Sequence, residues 1–195
     1  MSFQIETKRL ILRDVQMDDM PVLLAQAAEP EGRSGILSYQ ADETYNRNYF
    51  IKAIAEAKFP KRENYTLSVT LKSETPGTRH TLIGNCMIHN IEPESIETSI
   101  GWHYGSRYWG NGYATEAARE LLYIGFKLNK VSEIFADSFA DNPSSIRVME
   151  KIGMTTRPNL GLLNQIRGWS YGENRPSVRY IISRNQWLAK TERKQ

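Results

Sequence analysis

The chain is 195 residues long, 40% apolar and 24% charged, the make-up of an ordinary globular domain with one core and one active site. Its formal net charge of +3 includes no stripe of basic and aromatic residues such as a nucleic-acid reader needs, and no window approaches the roughly eighteen apolar residues of a membrane span. A single cysteine, Cys86, excludes an intrachain disulfide, and His80, His89 and His103 stand at no metal-ligand spacing, so no metal is expected.

In chain order, Met1 to Leu10 has neither the apolar stretch of a secretion signal nor the Arg/Ser bias of a transit peptide, which points to the cytoplasm. Leu10-Ile11-Leu12-Arg13 suits a first strand, and Asp18-Asp19 with Pro21 opens a helix running through Leu23, Leu24 and Ala27. A break at Glu29-Pro30-Glu31-Gly32 precedes a second helix from Asp42 to Lys58, where Tyr45, Tyr49, Phe50, Ala53, Ile54 and Ala57 recur at three and four. Strands follow at Tyr65 to Leu71, Thr81 to His89 and Ile96 to Tyr104, divided by turns at Pro76-Gly77 and Pro93. In the third of these, Ile96, Thr98, Ile100 and Trp102 face one way, and Glu97, Ser99, Gly101 and His103 the other. Ala114, Ala117, Ala118, Leu121 and Leu122 mark one face of a helix, and Glu133 to Phe139 reads as the next strand. Asn142-Pro143 starts a helix that Gly153 ends, and two last strands lie near Thr155 to Ile166 and Ser177 to Ser183. This order describes a single α/β (α+β) domain over residues 1–195, with a core of about 8–184, a tail at 185–195 and a mixed sheet flanked by helices.

The chemistry concentrates in Tyr108-Trp109-Gly110-Asn111-Gly112-Tyr113-Ala114-Thr115-Glu116-Ala117, a glycine-rich loop leading into a helix. A helix N-terminus offers unpaired N–H groups and the positive end of a dipole, and glycines let a phosphate approach them closely. A P-loop would need a Lys that this loop lacks, and a dinucleotide fingerprint would come early, after the first strand, rather than after a meander of strands. The run Trp109-Gly110-Asn111-Gly112-Tyr113-Ala114 resembles the Gln/Arg-x-x-Gly-x-Gly/Ala signature of the GNAT superfamily of acetyltransferases, with Trp in the first place; Arg107-x-x-Gly110-x-Gly112 satisfies it in another register. The opening Glu6-Thr7-Lys8-Arg9-Leu10-Ile11-Leu12-Arg13, the Leu82-Ile83-Gly84 strand and Asn142-x-x-Ser145-x-x-x-x-Glu150-Lys151-x-Gly153 resemble the branch containing the RimJ and RimL ribosomal-protein N-terminal acetyltransferases.

The resemblance implies a mostly antiparallel sheet of about seven strands and about four helices, with the fourth and fifth strands splayed into a slot for acetyl-CoA. It further implies that the loop at Trp109, Gly110, Asn111, Gly112, Tyr113, Ala114 and Thr115 holds the CoA pyrophosphate, that Trp102, His103 and Tyr104 pair with the pantetheine arm, and that Asn142 bonds that arm. Ser145 is placed near the sulfur as the leaving-group donor, because the tyrosine many relatives use there falls at Met149. Many relatives carry a Glu where this chain has Ser99, so Glu97, on the same face, is the leading candidate for general base. His103 ranks below it, and Asp137 and Ser138 lower still. Glu116 suits the positive end of its helix and reads as structural. The implied reaction is direct acetyl transfer to an amine, a protein or peptide N-terminus before all, in a monomer or homodimer. The alternatives are a small amine such as a polyamine, and a CoA-binding sensor without catalysis. Glu29 to Gln40 and Gly168 to Arg175, with Trp169 and Tyr171, are the segments expected to meet the acceptor.

Overall fold

The strands are β1 (Gln4–Glu6), β2 (Leu10–Asp14), β3 (Tyr65–Leu71), β4 (Thr81–His89), β5 (Ser99–Tyr104), β6 (Glu133–Phe139), β7 (Thr155–Thr156) and β8 (Ser177–Ser183). They form one sheet in the spatial order β1-β2-β3-β4-β5-β6-β8-β7. The computed structural model describes residues 2–33, 43–59, 61–73, 80–91, 98–156 and 176–192. Among the described residues there are eight strands rather than about seven, because Gln4–Glu6 pairs antiparallel with β2 as an edge strand too short to show an alternating pattern. Of the expected strand from Thr155 to Ile166, the described part is Thr155–Thr156.

The helices are α1 (Met20–Ala27), α2 (Pro30–Arg33), α3 (Glu43–Glu56), α4 (Tyr113–Tyr123), α5 (Pro143–Lys151) and α6 (Arg184–Glu192). The segment read as a tail thus carries α6, which is docked rather than free: Trp187 lies against Phe126 with ring centroids 5.5 Å apart, and the Lys190 ammonium donates to the Gly153 carbonyl at 2.7 Å. Apolar residues are sparse in this helix, which is why its period did not stand out.

The two faces of the sheet bury different sets. On one, Leu67, Cys86, Ile88, Ile100 and Ile134 pack against Ala117, Ala118, Leu121 and Leu122 of α4. On the other, Val15, Met20, Leu23, Phe50 and Ala53 form a smaller cluster under α1 and α3. Cys86 is completely buried, and burial pushes its thiol well above the ordinary range, which makes it an inert core residue. A bulge between Val69 and Thr70 of β3 leaves Ile83 unpaired. From Gly84 to His89 the register of β4 on β5 then runs Gly84↔Tyr104, Asn85↔His103, Cys86↔Trp102, Met87↔Gly101, Ile88↔Ile100 and His89↔Ser99.

Strands β1 to β5 are antiparallel neighbours, and so are β6, β8 and β7, but the two halves meet as the parallel pair β5 and β6. That pair shares the single register match Ser99↔Phe135, with the Phe135 N–H donating to the Thr98 carbonyl at 3.0 Å. Beyond that point the strands part toward Tyr104 and Phe139, opening a wedge in the middle of the sheet. The expected fourth and fifth strands are β5 and β6, shifted by one because β1 precedes them.

Candidate active site

A cleft of about 380 Å³ opens where the wedge is widest, walled by the end of β5, the loop before α4 and the start of α5. In an antiparallel ladder, successive residues turn their backbone groups to opposite sides. The Thr98 carbonyl accepts from Phe135 of β6, and the Gly105 N–H reaches back to Ile83 on β4 at 3.1 Å, so Trp102 and Tyr104 present their N–H and C=O groups to the wedge. His103 by the same alternation spends its backbone on β4. The indole N–H of Trp109 donates to the Tyr104 carbonyl at 2.8 Å and closes the wide end of the strand.

The loop itself is held by two positive-φ glycines, Gly110 at φ 76° and Gly112 at φ 78°. Gly112 is the residue preceding the first turn of α4; its carbonyl accepts the first helical bond, from Glu116 N–H at 3.1 Å, and no described side chain caps the N–H groups of Tyr113, Ala114 and Thr115. Those donors and the helix dipole converge on the cleft, the geometry an anion needs. Gly110 has open space where a Cβ would stand, and at Gly112 a Cβ would meet only the Arg9 guanidinium at 3.7 Å, so a diphosphate can approach this backbone. The Asn111 side-chain amide donates to the Tyr108 and Trp109 carbonyls at 3.2 and 2.9 Å and fastens the turn, so what Asn111 has to offer a cofactor is its backbone N–H.

Glu116 explains its place in the motif. Its carboxylate accepts from Thr7 Oγ1 at 2.6 Å, the Arg9 N–H at 2.9 Å and Arg9 Nε at 2.7 Å, while Arg9 Nη1 reaches the Asn111 carbonyl at 2.9 Å. The Glu6 to Arg13 motif and the glycine loop are thereby one bonded unit, and Arg9 lies over the Tyr113 ring at 4.6 Å. Burial pushes the Glu116 carboxyl up, but the bonds from Thr7 and Arg9 outweigh it, leaving a net lowered pKa. A carboxyl lowered in the folded state adds stability above its unfolded pKa and loses it as pH falls through the folded value. Glu116→Gln is therefore expected to lower the melting temperature at neutral pH by a few degrees and to converge with wild type as pH falls through the lowered Glu116 pKa, as read by thermal unfolding across that range; a deficit that does not shrink with falling pH would contradict the charge-based account.

At the start of α5, Asn142 caps the helix: its Oδ1 accepts from the Ser145 N–H at 3.2 Å and its Nδ2 donates to Ser145 Oγ at 3.1 Å. With Oγ accepting from Asn142, the hydroxyl proton of Ser145 is left to donate, and both residues line the cleft. Met149 is fully buried in the core, away from the cleft. Arg147 and Lys151 also line it, one and two turns beyond Pro143 on one face of α5, and sequence reasoning passed over them although their spacing of four was visible.

The described residues include three of the four candidates for general base. Glu97 lies outside the described residues, as do residues 34–40, Trp169 and Tyr171. His103 is 5% exposed and burial pushes its pKa down to about 4, with Glu29 opposing the shift, so it stays neutral where it was expected to titrate. Asp137 is held by Arg179 through two bonds of 2.8 and 2.7 Å, and Ser138 is buried in the sheet.

This architecture has counterparts among known proteins. A family model described as an acetyltransferase (GNAT) domain matches residues 9–155. The uncharacterized N-acetyltransferase YnaD of Bacillus subtilis is 29% identical over 150 residues, covering 77% of this chain and 81% of that protein. A crystallised GNAT-family acetyltransferase from Bacillus anthracis superposes with a TM-score of 0.74 at 25% identity, over 94% of this chain and 99% of that one. The fold is also that of a spermidine N-acetyltransferase from Vibrio cholerae, solved with CoA and spermine, at a TM-score of 0.72 and 15% identity over 93% and 99% of the two chains. A parallel split in an otherwise antiparallel sheet, a glycine loop at its mouth and the match over residues 9–155 lead to one conclusion: the chain belongs to the GNAT family and is an acetyl-CoA-dependent N-acetyltransferase.

Proposed function

We propose that the acceptor is the α-amine of a protein or peptide N-terminus, in the manner of the RimJ and RimL enzymes, a ribosomal-protein N-terminus being the natural kind of substrate. The observation that carries this reading is the absence of an available carboxylate at the closed end of the wedge, among the described residues. Ser99, its register partner His89, and the Tyr49 and Thr66 hydroxyls linked to His89 are uncharged, Glu56 is engaged by Lys52 at 3.8 Å and Asn64 at 3.4 Å, and Asp137 is engaged by Arg179. A polyamine carries several positive charges and calls for several carboxylates. An α-amine titrates near ~8, against ~10.4 for a lysine side chain, and so reaches the site partly neutral and calls only for a proton acceptor.

In this reading the N–H groups from Gly110 to Thr115 hold the CoA pyrophosphate, with Arg147 and Lys151 adding positive charge. The pantetheine arm pairs with the wedge-facing backbone of Trp102 and Tyr104, and Asn142 both bonds that arm and orients Ser145. The Trp102 N–H of β5 polarises the thioester carbonyl as the amine attacks. The Ser145 hydroxyl donates a hydrogen bond to the departing thiolate, which takes its proton from solvent. Ser145→Ala is expected to lower kcat by about 10- to 100-fold, the worth of a ~1.5–3 kcal/mol hydrogen bond to a charged atom, while acetyl-CoA affinity changes little. Steady-state thiol release beside a direct CoA binding measurement checks it, and equal kcat values would confine Ser145 to its capping role.

The acceptor itself is tested by comparing kcat/KM for an N-terminal seryl peptide and for spermidine. Preference for the peptide by tenfold or more is expected; preference for spermidine would overturn the reading.

A further inference from the structure

The closed end of the wedge is fixed by Ser99↔Phe135, and it lies five residues, or about 17 Å at ~3.4 Å per residue, from the mouth at Tyr104. A thread-like arm that enters at the mouth and follows β5 delivers its reactive end there. Ser99 is also the register partner of His89 on β4, so the two side chains stand on the same face with Cβ atoms about 4.5–5.5 Å apart. Both are half-buried, which leaves them reachable from the α1 and α3 side. His89 is the titratable side chain that the register sets directly beside Ser99.

We infer that His89 is the proton acceptor of the reaction, taking the proton of the attacking amine by way of the Ser99 hydroxyl. The hydrogen-bond network sets the imidazole for this role. The Tyr49 hydroxyl lies 3.0 Å from Thr66 Oγ1 and 3.3 Å from His89 Nε2. Burial pushes the Tyr49 pKa up to about 12, so it remains a phenol with one proton to donate. When that proton goes to Thr66, Tyr49 accepts from Nε2–H and the lone pair of His89 sits on Nδ1; among the described residues no hydrogen bond reaches Nδ1.

The charged groups facing His89 come from α3, where Glu56 favours the imidazolium and Lys52 opposes it; Thr66 of β3 and Ser99 of β5 are neutral. Burial, aided by Lys52, outweighs Glu56 and lowers the His89 pKa below its ordinary 6.5, so the ring is neutral and ready to accept at physiological pH. The amine lone pair forms the new C–N bond at the thioester carbon. The amine proton passes to Ser99 Oγ as the Ser99 proton passes to Nδ1, the C–S bond breaks with its electron pair on sulfur, and the thiolate, held by the Ser145 O–H, takes a proton from solvent. The imidazolium then releases its proton to solvent.

This inference rests on the family's acetyl transfer and not on the choice of acceptor, and its test is arranged accordingly. The pH dependence of kcat is measured with the N-terminal seryl peptide, with spermidine if the peptide is not turned over, and with acetyl-CoA hydrolysis by water if neither amine is. Failure of the peptide alone thus counts against the acceptor reading and leaves this one tested. Wild type is expected to lose kcat tenfold per pH unit below the His89 pKa. His89→Gln is expected to lower kcat by about 10²-fold, the usual worth of a general base, and to abolish that acid limb while acetyl-CoA affinity stays within twofold. Retained kcat, or a lowered kcat with the limb intact, would overturn the inference, as would loss of the limb in Glu97→Gln instead. If His89→Gln does not fold, Tyr49→Phe carries the test: without its Nε2 partner the imidazolium is less favoured, so the limb moves to lower pH, and an unmoved limb would contradict the role.

Discussion

Gly112→Glu is expected to weaken CoA binding by two orders of magnitude or more, with the folded protein otherwise retained. Gly112 sits at φ 78° and ψ 8°, a left-handed conformation that costs a residue with a Cβ about 1–2 kcal/mol. The larger part of the effect is electrostatic: a carboxylate at this position occupies the donors of α4 that the pyrophosphate uses and repels the phosphates themselves. Arg9, 3.7 Å from the new Cβ, cannot neutralise it without loosening its 2.7 Å pair with Glu116. Gly110→Ala separates the two contributions. Its Cβ would meet nothing within 4 Å, so only the conformational cost at φ 76° remains, and affinity is expected to fall by about tenfold. Calorimetric titration with CoA reads both, and unchanged affinity in Gly112→Glu would remove the loop from the binding site.

Gly84→Ala is expected to be among the most damaging single-methyl changes in the chain. A Cβ at Gly84 would overlap the His103 carbonyl oxygen and stand 2.8 Å from the Tyr104 Cα. Both are backbone of β5, which has no rotamer to change, so the strand itself must shift. Overpacking costs about 1–3 kcal/mol where side chains can adjust, and here the upper end is the expectation. For a chain of this size about 3 kcal/mol lowers the melting temperature by roughly 6–12 °C. CoA binding is expected to weaken in parallel, because Tyr104 anchors the wide end of the wedge through Trp109. A melting temperature within two degrees of wild type would show that β4 and β5 are less tightly set than the register implies.

The outline of this site was legible in the sequence because its parts depend on backbone chemistry that leaves a residue signature. Paired glycines before an apolar helix announced a tight turn at a helix N-terminus, and Asn142-Pro143 announced a capped helix start; the left-handed glycines and the cap stand in the structure where their spacing put them. Gly84 was visible only as a motif letter, since the reason for it is a contact with a strand nearly twenty residues away. Glu116 read as a helix-dipole partner, yet most of its bonds go to Thr7 and Arg9, more than a hundred residues earlier in the chain. The charge states were the least legible: His103 carried a histidine's ordinary expectation until burial lowered it, and Asp137 looked available until Arg179 was seen beside it. The neighbourhood of His89 and Ser99 exists only through the register of β4 on β5, which a reading of either strand alone does not supply.

The most direct test of the account is to incubate the protein with acetyl-CoA and a peptide that has both a free N-terminal serine and an internal lysine, then locate the product by tandem mass spectrometry. One acetyl group on the α-nitrogen, with the lysine unmodified, is the expected result. Acetyl on the lysine, or acetyl-CoA consumed only when spermidine is supplied, would contradict an enzyme built to receive a partly neutral α-amine.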